Sequence, residues 1–155
     1  MAVPAVLYAK TLDDFPSHIK TTEQLTEWYS GEFKYRMEYP DNWQTPRETI
    51  QFKEGDCEDF AFLSSDFLTR QGISNDVIIV KFRDLDVTHA ICVWRENGGK
   101  YAFISNRRII HTDESDLNMV LNKYYPDWEN FSFVSPERSS FQRASRPYLP
   151  RRVIR

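Results

Sequence analysis

Cysteine is scarce in this chain: only Cys57 and Cys92 are present, too few for a disulfide framework. No Cys-x-x-Cys occurs, and the three histidines show no paired metal-ligand spacing, so nothing points to a zinc site. A reducing compartment is the expectation, and the cytoplasm the expected location. No apolar run approaches the roughly 20 residues that span a bilayer, so no membrane partner is expected. The opening stretch from Met1 to Lys10 has a short apolar patch but no basic segment before it, which argues against a signal peptide. Acid is missing from residues 138 to 155, which hold six arginines, so an acidic body carries a basic tail.

What is present suits a packed globule. The 155 residues, 41% hydrophobic and 15% aromatic, are enough for one domain with a core. That domain is expected over residues 1–135. The Pro-, Ser- and Arg-rich stretch 136–155 reads as an extended or disordered arm. Phe141 and Tyr148 interleave with its arginines, so binding to nucleic acid or an acidic partner stands beside a solvated end, although no nucleic-acid motif supports it.

Periodicity supplies the elements. Thr21 and Gln24 form a capping-box pair ahead of an apolar stripe at Leu25, Trp28 and Tyr29, and Gly31 marks the end of that helix. Val77 to Val80 is a β-branched run covered on both faces, and Asp84-Leu85-Asp86 turns the chain into a strand from Thr88 to Arg95. Glu96 to Lys100 is a hairpin signal, so Tyr101 to Ser105 should return antiparallel. Asp113, Ser115 and Asp116 open another helix, with Leu117, Val120, Leu121 and Tyr124 as its buried stripe and Pro126 as its stop. Phe131 to Val134 reads as an edge strand.

One stretch organises the rest. From Trp43 to Ala61 the chain reads as a turn that delivers a cysteine to the first turn of a helix. Gly55 breaks the preceding segment, Asp56 can cap, and Phe60, Leu63, Phe67 and Leu68 recur at helical spacing until Gly72. Cys57 then sits where free N–H groups and the positive end of the helix dipole favour a thiolate. A lone cysteine is usually a small buried hydrophobe, but Asp56, Glu58 and Asp59 make a poor lining for a core. As like charges they would raise a thiol's pKa, so activation needs a base. Of His18, His89 and His111, only His89 lies on a central strand among apolar residues, sharing a face with Ile91 and Val93. Cys92 points the other way and reads as packing.

The pattern Trp43-x-Thr-Pro-x-Glu48-Thr followed by Gly55-Asp-Cys-Glu-Asp59-x-Ala61 resembles the nucleophile segment of the bacterial transglutaminase-like cysteine proteinases. Thr88-His89-Ala90 resembles that family's histidine strand, and the similarity covers roughly residues 35 to 110. The resemblance implies an α+β, papain-like fold, with a catalytic-cysteine helix packed on an antiparallel sheet. It also implies a Cys-His-Asp/Asn site acting through a thioester on an amide bond of a protein or peptide. The family usually places an aspartate at the end of the next strand, within a Leu-Asp-Asn-like triplet. Here the residues read Ile104-Ser105-Asn106, with serine at the aspartate position. Asn106 is the candidate to orient His89, because an amide oxygen can accept from an imidazole, and Ser105 is the weaker one. The rival is an interaction module of the same fold that has lost its catalysis.

For the oxyanion, the Cys57 backbone N–H is one donor, with Trp43 and Gln51 as candidates for positioning. Glu48 reads as a structural partner for a nearby N–H. No cofactor is required by the implied chemistry. Some relatives of this family carry calcium near the cysteine, and the matching carboxylates here are Asp56, Glu58 and Asp59. Helix capping is the other use for them.

Overall fold

The computed structural model describes residues 14–37 and 43–135. The arginine-rich stretch 136–155, with the nucleic-acid alternative attached to it, lies outside them. Among the described residues, four helices and seven strands follow in the order α1 (Thr22–Glu32), β1 (Lys34–Tyr35), α2 (Pro46–Phe52), β2 (Glu54–Gly55), α3 (Cys57–Arg70), β3 (Asn75–Phe82), β4 (Thr88–Arg95), β5 (Tyr101–Ser105), β6 (Arg108–His111), α4 (Leu117–Tyr124) and β7 (Trp128–Val134). Among the described residues, no helix is long and apolar enough to cross a membrane.

Local chemistry explains most of the boundaries. Thr21 accepts from the Gln24 N–H at 3.2 Å, and the Gln24 side chain accepts from the Thr21 N–H at 3.1 Å, closing the capping box of α1. The stretch 46–52, which reads as part of a turn, is a helix. Thr45 and Glu48 form a second capping box, with the Thr45 N–H donating to Glu48 at 2.7 Å, and Pro46 occupies the first helical position, where its missing N–H costs nothing. α3 closes through Gln71 and a left-handed Gly72. Asp116 caps α4, accepting from the N–H groups of Asn118 and Met119.

The main sheet has the order β6-β5-β4-β3-β7 and is antiparallel throughout, and β1 pairs with β2 in a separate parallel ribbon. β3 is flanked by neighbours and covered on both faces. Val77 and Ile79 pack with Ala90, Cys92, Trp94 and Ile104 against α1 and α3. Ile78, Val80, Ile91, Val93 and Phe103 pack against α4 on the opposite face. Burying two faces of one sheet is what the β-branched run requires. This mixed arrangement, helices packed on an antiparallel sheet, is the expected α+β architecture.

Candidate active site

The tip of α3 is shaped by Gly55. A Cβ there would stand 2.7 Å from Asp59 Cβ and 2.8 Å from Asp59 Oδ2, so only glycine lets the carboxylate fold back over the helix start. Asp59 is fully buried and accepts three N–H bonds: from Gln44 N at 2.7 Å, from Asp56 N at 3.0 Å and from Gln44 Nε2 at 3.1 Å. Gln44 Nε2 also donates to the Glu54 carbonyl at 3.2 Å. One carboxylate thus ties the segment before α2, the end of β2 and the start of α3 together. Cys57 is the first helical residue, 5% exposed, and its Sγ donates to Glu58 Oε2 at 3.1 Å.

The direction of α3 follows from its other end. Ser65 donates to Asn75 Oδ1 at 2.6 Å, and Asn75 pairs with Trp94. From Ser65 back to Cys57 the helix runs roughly 12 Å at about 1.5 Å per residue. From Trp94 back to His89 the strand runs roughly 16 Å at about 3.3 Å per residue. Ser105 ends β5, pairing with Ile91 two residues from His89.

His89 is buried, and its Nε2 lies 2.8 Å from Ser105 Oγ. Its ring is tilted against that of Tyr125, with centroids 5.6 Å apart. Tyr125 donates from its hydroxyl to the same Ser105 Oγ at 3.1 Å. Burial pushes the Tyr125 hydroxyl up to about 12, the Ser105 bond pulls the other way, and Cys57 adds a smaller upward push. Tyr125 therefore touches the histidine and feels the charge of the cysteine. Burial also lowers His89 from 6.5 to about 4, so its imidazole is neutral across the ordinary pH range.

These placements sort the expected site residues. His89 and Ser105 meet at one end of the sheet, and the charge of Cys57 is felt at Tyr125 beside them. Asn106 does not take the orienting place. It adopts φ 53° in the two-residue turn between Ser105 and Arg108, where asparagine tolerates the left-handed backbone, and one step along the strand reverses the face a side chain points to. Its Oδ1 is buried without a hydrogen-bond partner among the described residues. Gln51 is solvent-exposed on α2, outside the buried cluster, because the chain coils there instead of passing extended beside the cysteine. Trp43 is core, its ring 5.4 Å from that of Phe62. Cys92 lies on the α1–α3 side of the sheet with Sγ 3.7 Å from Asn75 Oδ1, and burial pushes its thiol well up.

Of the three candidate calcium ligands, Asp56 and Glu58 gather with Cys57, one ligand atom of each lying within 4.8 Å of the others. Asp59 is held away by its N–H bonds. Calcium takes oxygen and not sulfur, so this cluster offers it two carboxylates, fewer than the six to eight oxygens it gathers. Sequence reasoning missed Tyr125 as a site residue. Its aromatic, post-helix position gave no signal of a bond to a serine 20 residues earlier. The backbone N–H of Gln44 is taken by Asp59.

A cysteine at the tip of a helix that packs on an antiparallel sheet carrying a histidine defines the papain-like class of thiol-enzyme folds. The family model described as transglutaminase-like domain matches residues 7–116, and the chain belongs to that family. Its structure is similar to that of Legionella pneumophila LapG, with TM-score 0.52 and 18% identity over 89% of this chain and 82% of that one. The calcium-bound form of LapG gives TM-score 0.50 and 16% identity over 82% and 81%. The EGTA-treated form gives 0.50 and 19% over 69% of this chain, which spans only 57% of that one. At such identities the likeness is one of fold. No curated protein sequence matches significantly.

Proposed function

We propose that the chain is a thiol hydrolase that cleaves an amide or peptide bond of a protein, with Cys57 as nucleophile and His89 as its base. The observation that supports this most directly is the His89–Ser105–Tyr125 chain at one end of the sheet, with the charge of Cys57 felt at Tyr125. In this reading His89 uses Nε2 to meet Ser105, which leaves Nδ1 for the thiol. Nδ1 takes the Cys57 proton as sulfur attacks the carbonyl carbon, and returns it to the leaving amine as the thioester forms. Water, deprotonated by the same nitrogen, then releases the acid and the free thiol. The Cys57 backbone N–H at the helix start supplies one oxyanion donor.

Asp56 and Glu58 would hold a calcium ion if one binds, as the calcium-bound form of LapG suggests by analogy of fold. Binding there would supply positive charge beside the nucleophile and would draw on the carboxylate that accepts the Cys57 proton. The second reading, an interaction module without catalysis, is favoured by one observation. The His89 ring meets a neutral hydroxyl where a charged or amide acceptor would stabilise the imidazolium.

The test uses labelled, denatured casein with millimolar calcium or with EGTA, reading new amino termini by mass spectrometry and ammonia release in parallel. The wild type should produce one of these products and Cys57→Ala neither. If the two proteins are indistinguishable in both readouts, the hydrolase reading falls and the module reading takes its place.

A further inference from the structure

We propose that Tyr125 is a positioning residue that, through Ser105, holds His89 as the Nδ1–H tautomer, so that the imidazole must exchange tautomer before it can accept the Cys57 proton. This deepens the hydrolase reading and rests on it for its catalytic meaning, though not for its geometry.

A serine hydroxyl has one proton to give and two lone pairs. Tyr125 fills one lone pair of Ser105, donating at 3.1 Å. His89 Nε2 stands 2.8 Å from the same oxygen. If Nε2 carried the ring proton, Ser105 would accept twice and its own proton would find no partner among the described side chains. If Ser105 donates to Nε2, the Tyr125 hydroxyl, the Ser105 hydroxyl and Nε2 are all satisfied, and the aligned chain from Tyr125 to Ser105 to His89 polarises each bond in the same sense. The ring proton is then on Nδ1, the nitrogen left for the thiol.

Tyr125 is well fixed for this task. It caps α4, its N–H donating to the Leu121 carbonyl at 2.8 Å, and its ring packs 6.0 Å from Phe82 and 6.1 Å from Phe103. Its hydroxyl stays protonated, and so remains a donor, at any ordinary pH. A carboxylate at position 105 would impose the opposite state. Having no proton, it could only accept, forcing hydrogen onto Nε2 and leaving Nδ1 bare. Exchange between the states conserves protons: one leaves Nδ1 to water, one reaches Nε2 from water, and Ser105 turns to offer a lone pair.

Long-range 1H–15N correlation spectra of 15N-histidine-labelled protein at neutral pH separate protonated from bare ring nitrogens. Only three histidines are present, so His18→Gln and His111→Gln assign the signals. The wild type should show Nδ1 protonated and Nε2 bare in His89. Tyr125→Phe, which keeps the ring packing, should give a mixture, and Ser105→Asp should reverse the pattern. Should Tyr125→Phe fail to fold, Ser105→Ala breaks the same chain and should give the mixture. A wild-type His89 protonated on Nε2, or a pattern unmoved in both Tyr125→Phe and Ser105→Ala, overturns the proposal. In the casein assay Ser105→Asp should gain about tenfold, below the roughly 100- to 10,000-fold of a full general-base effect. If the tautomers are as expected and no variant cleaves casein, the tautomer assignment stands and the hydrolase reading fails.

Discussion

The two structures that meet at the candidate site are built on opposite electrostatic plans. The tip of α3 carries three carboxylates within four residues, Asp56, Glu58 and Asp59, all at least nine-tenths buried. The end of β4 and β5 offers His89 the hydroxyl of Ser105, itself bonded by Tyr125, and, among the described residues, no carboxylate on its ring. Charge has been placed around the nucleophile and withheld from the base. A thiolate–imidazolium pair is disfavoured on both counts, because like charges surround the sulfur and nothing negative faces the ring. The site is thus arranged to rest neutral, with the thiol proton directed at Glu58 and the imidazole held by a hydroxyl. Activity in such a site depends on something that shifts the balance, whether a cation at Asp56 and Glu58 or a rearrangement at Ser105.

The sharpest way to break that contrast is to remove one polar partner from each side. Asp59→Ala strips the acceptor from three N–H bonds in a fully buried place, and leaves the N–H groups of Gln44 and Asp56 without it. The expected loss is about 4 kcal/mol in urea denaturation, since an orphaned buried donor costs more than a net bond is worth. Ser105→Ala removes two bonds between neutral groups in a half-buried place and should cost about 1 kcal/mol. Equal losses would mean that the carboxylates at the α3 tip serve the site and not the fold.

The same contrast marks what could be read from the chain. Thr21 with Gln24, and Asp116 before its apolar stripe, announce helices because their capping groups lie within three residues of what they cap. The Cys57 helix and the β3–β5 meander were legible from periodicity and turn residues. The helix over Pro46–Phe52 was not, since a proline ahead of polar residues suits a turn as well as a first helical position. The places of Cys57 at a helix start and of His89 on an inner strand were legible from the pattern around them. The choice between Asn106 and Ser105 went to the better acceptor on chemical grounds, and the backbone decided otherwise, spending Asn106 on a left-handed turn. Tyr125 was beyond reach because its bond to Ser105 exists only once α4 has packed on the sheet.

The neutral side of the comparison makes its own prediction. His89 has a folded value of about 4 against an ordinary 6.5, with burial as the cause. Between those values the unfolded chain binds a proton that the folded chain refuses, so stability rises with pH through this window and falls as acid is added. The contribution from His89 is fully present above 6.5 and lost by pH 4, a change of about 3 kcal/mol at 1.36 kcal/mol per unit. Urea denaturation at pH 7 and pH 4 should therefore show the wild type losing about that much more than His89→Gln. An identical pH slope in the two proteins would place a negative group against the ring and undo the contrast.

His111 is the internal control, with a smaller effect of the opposite sign. It lies on the edge strand β6, its Nδ1 2.7 Å from Glu96 Oε1 and its Nε2 3.2 Å from Glu23 Oε1, so it joins the β4–β5 hairpin to α1. The Glu96 bond raises its pKa most, burial opposes, and the charges of Glu96 and Glu23 add to the rise. A raised value means that the stabilisation is complete below 6.5 and is lost as pH climbs through the folded pKa. The side chain is 47% exposed, so solvent and salt screen the pair, and about 0.5 kcal/mol is expected at low ionic strength. In an NMR titration, Glu96→Gln should bring the His111 midpoint back toward 6.5 by more than Glu23→Gln does, because the first removes the shorter bond and the larger cause. If neither variant moves the midpoint, carboxylates at hydrogen-bond distance do not control histidine ionisation in this fold. The lack of one at His89 could then no longer explain why that ring rests neutral.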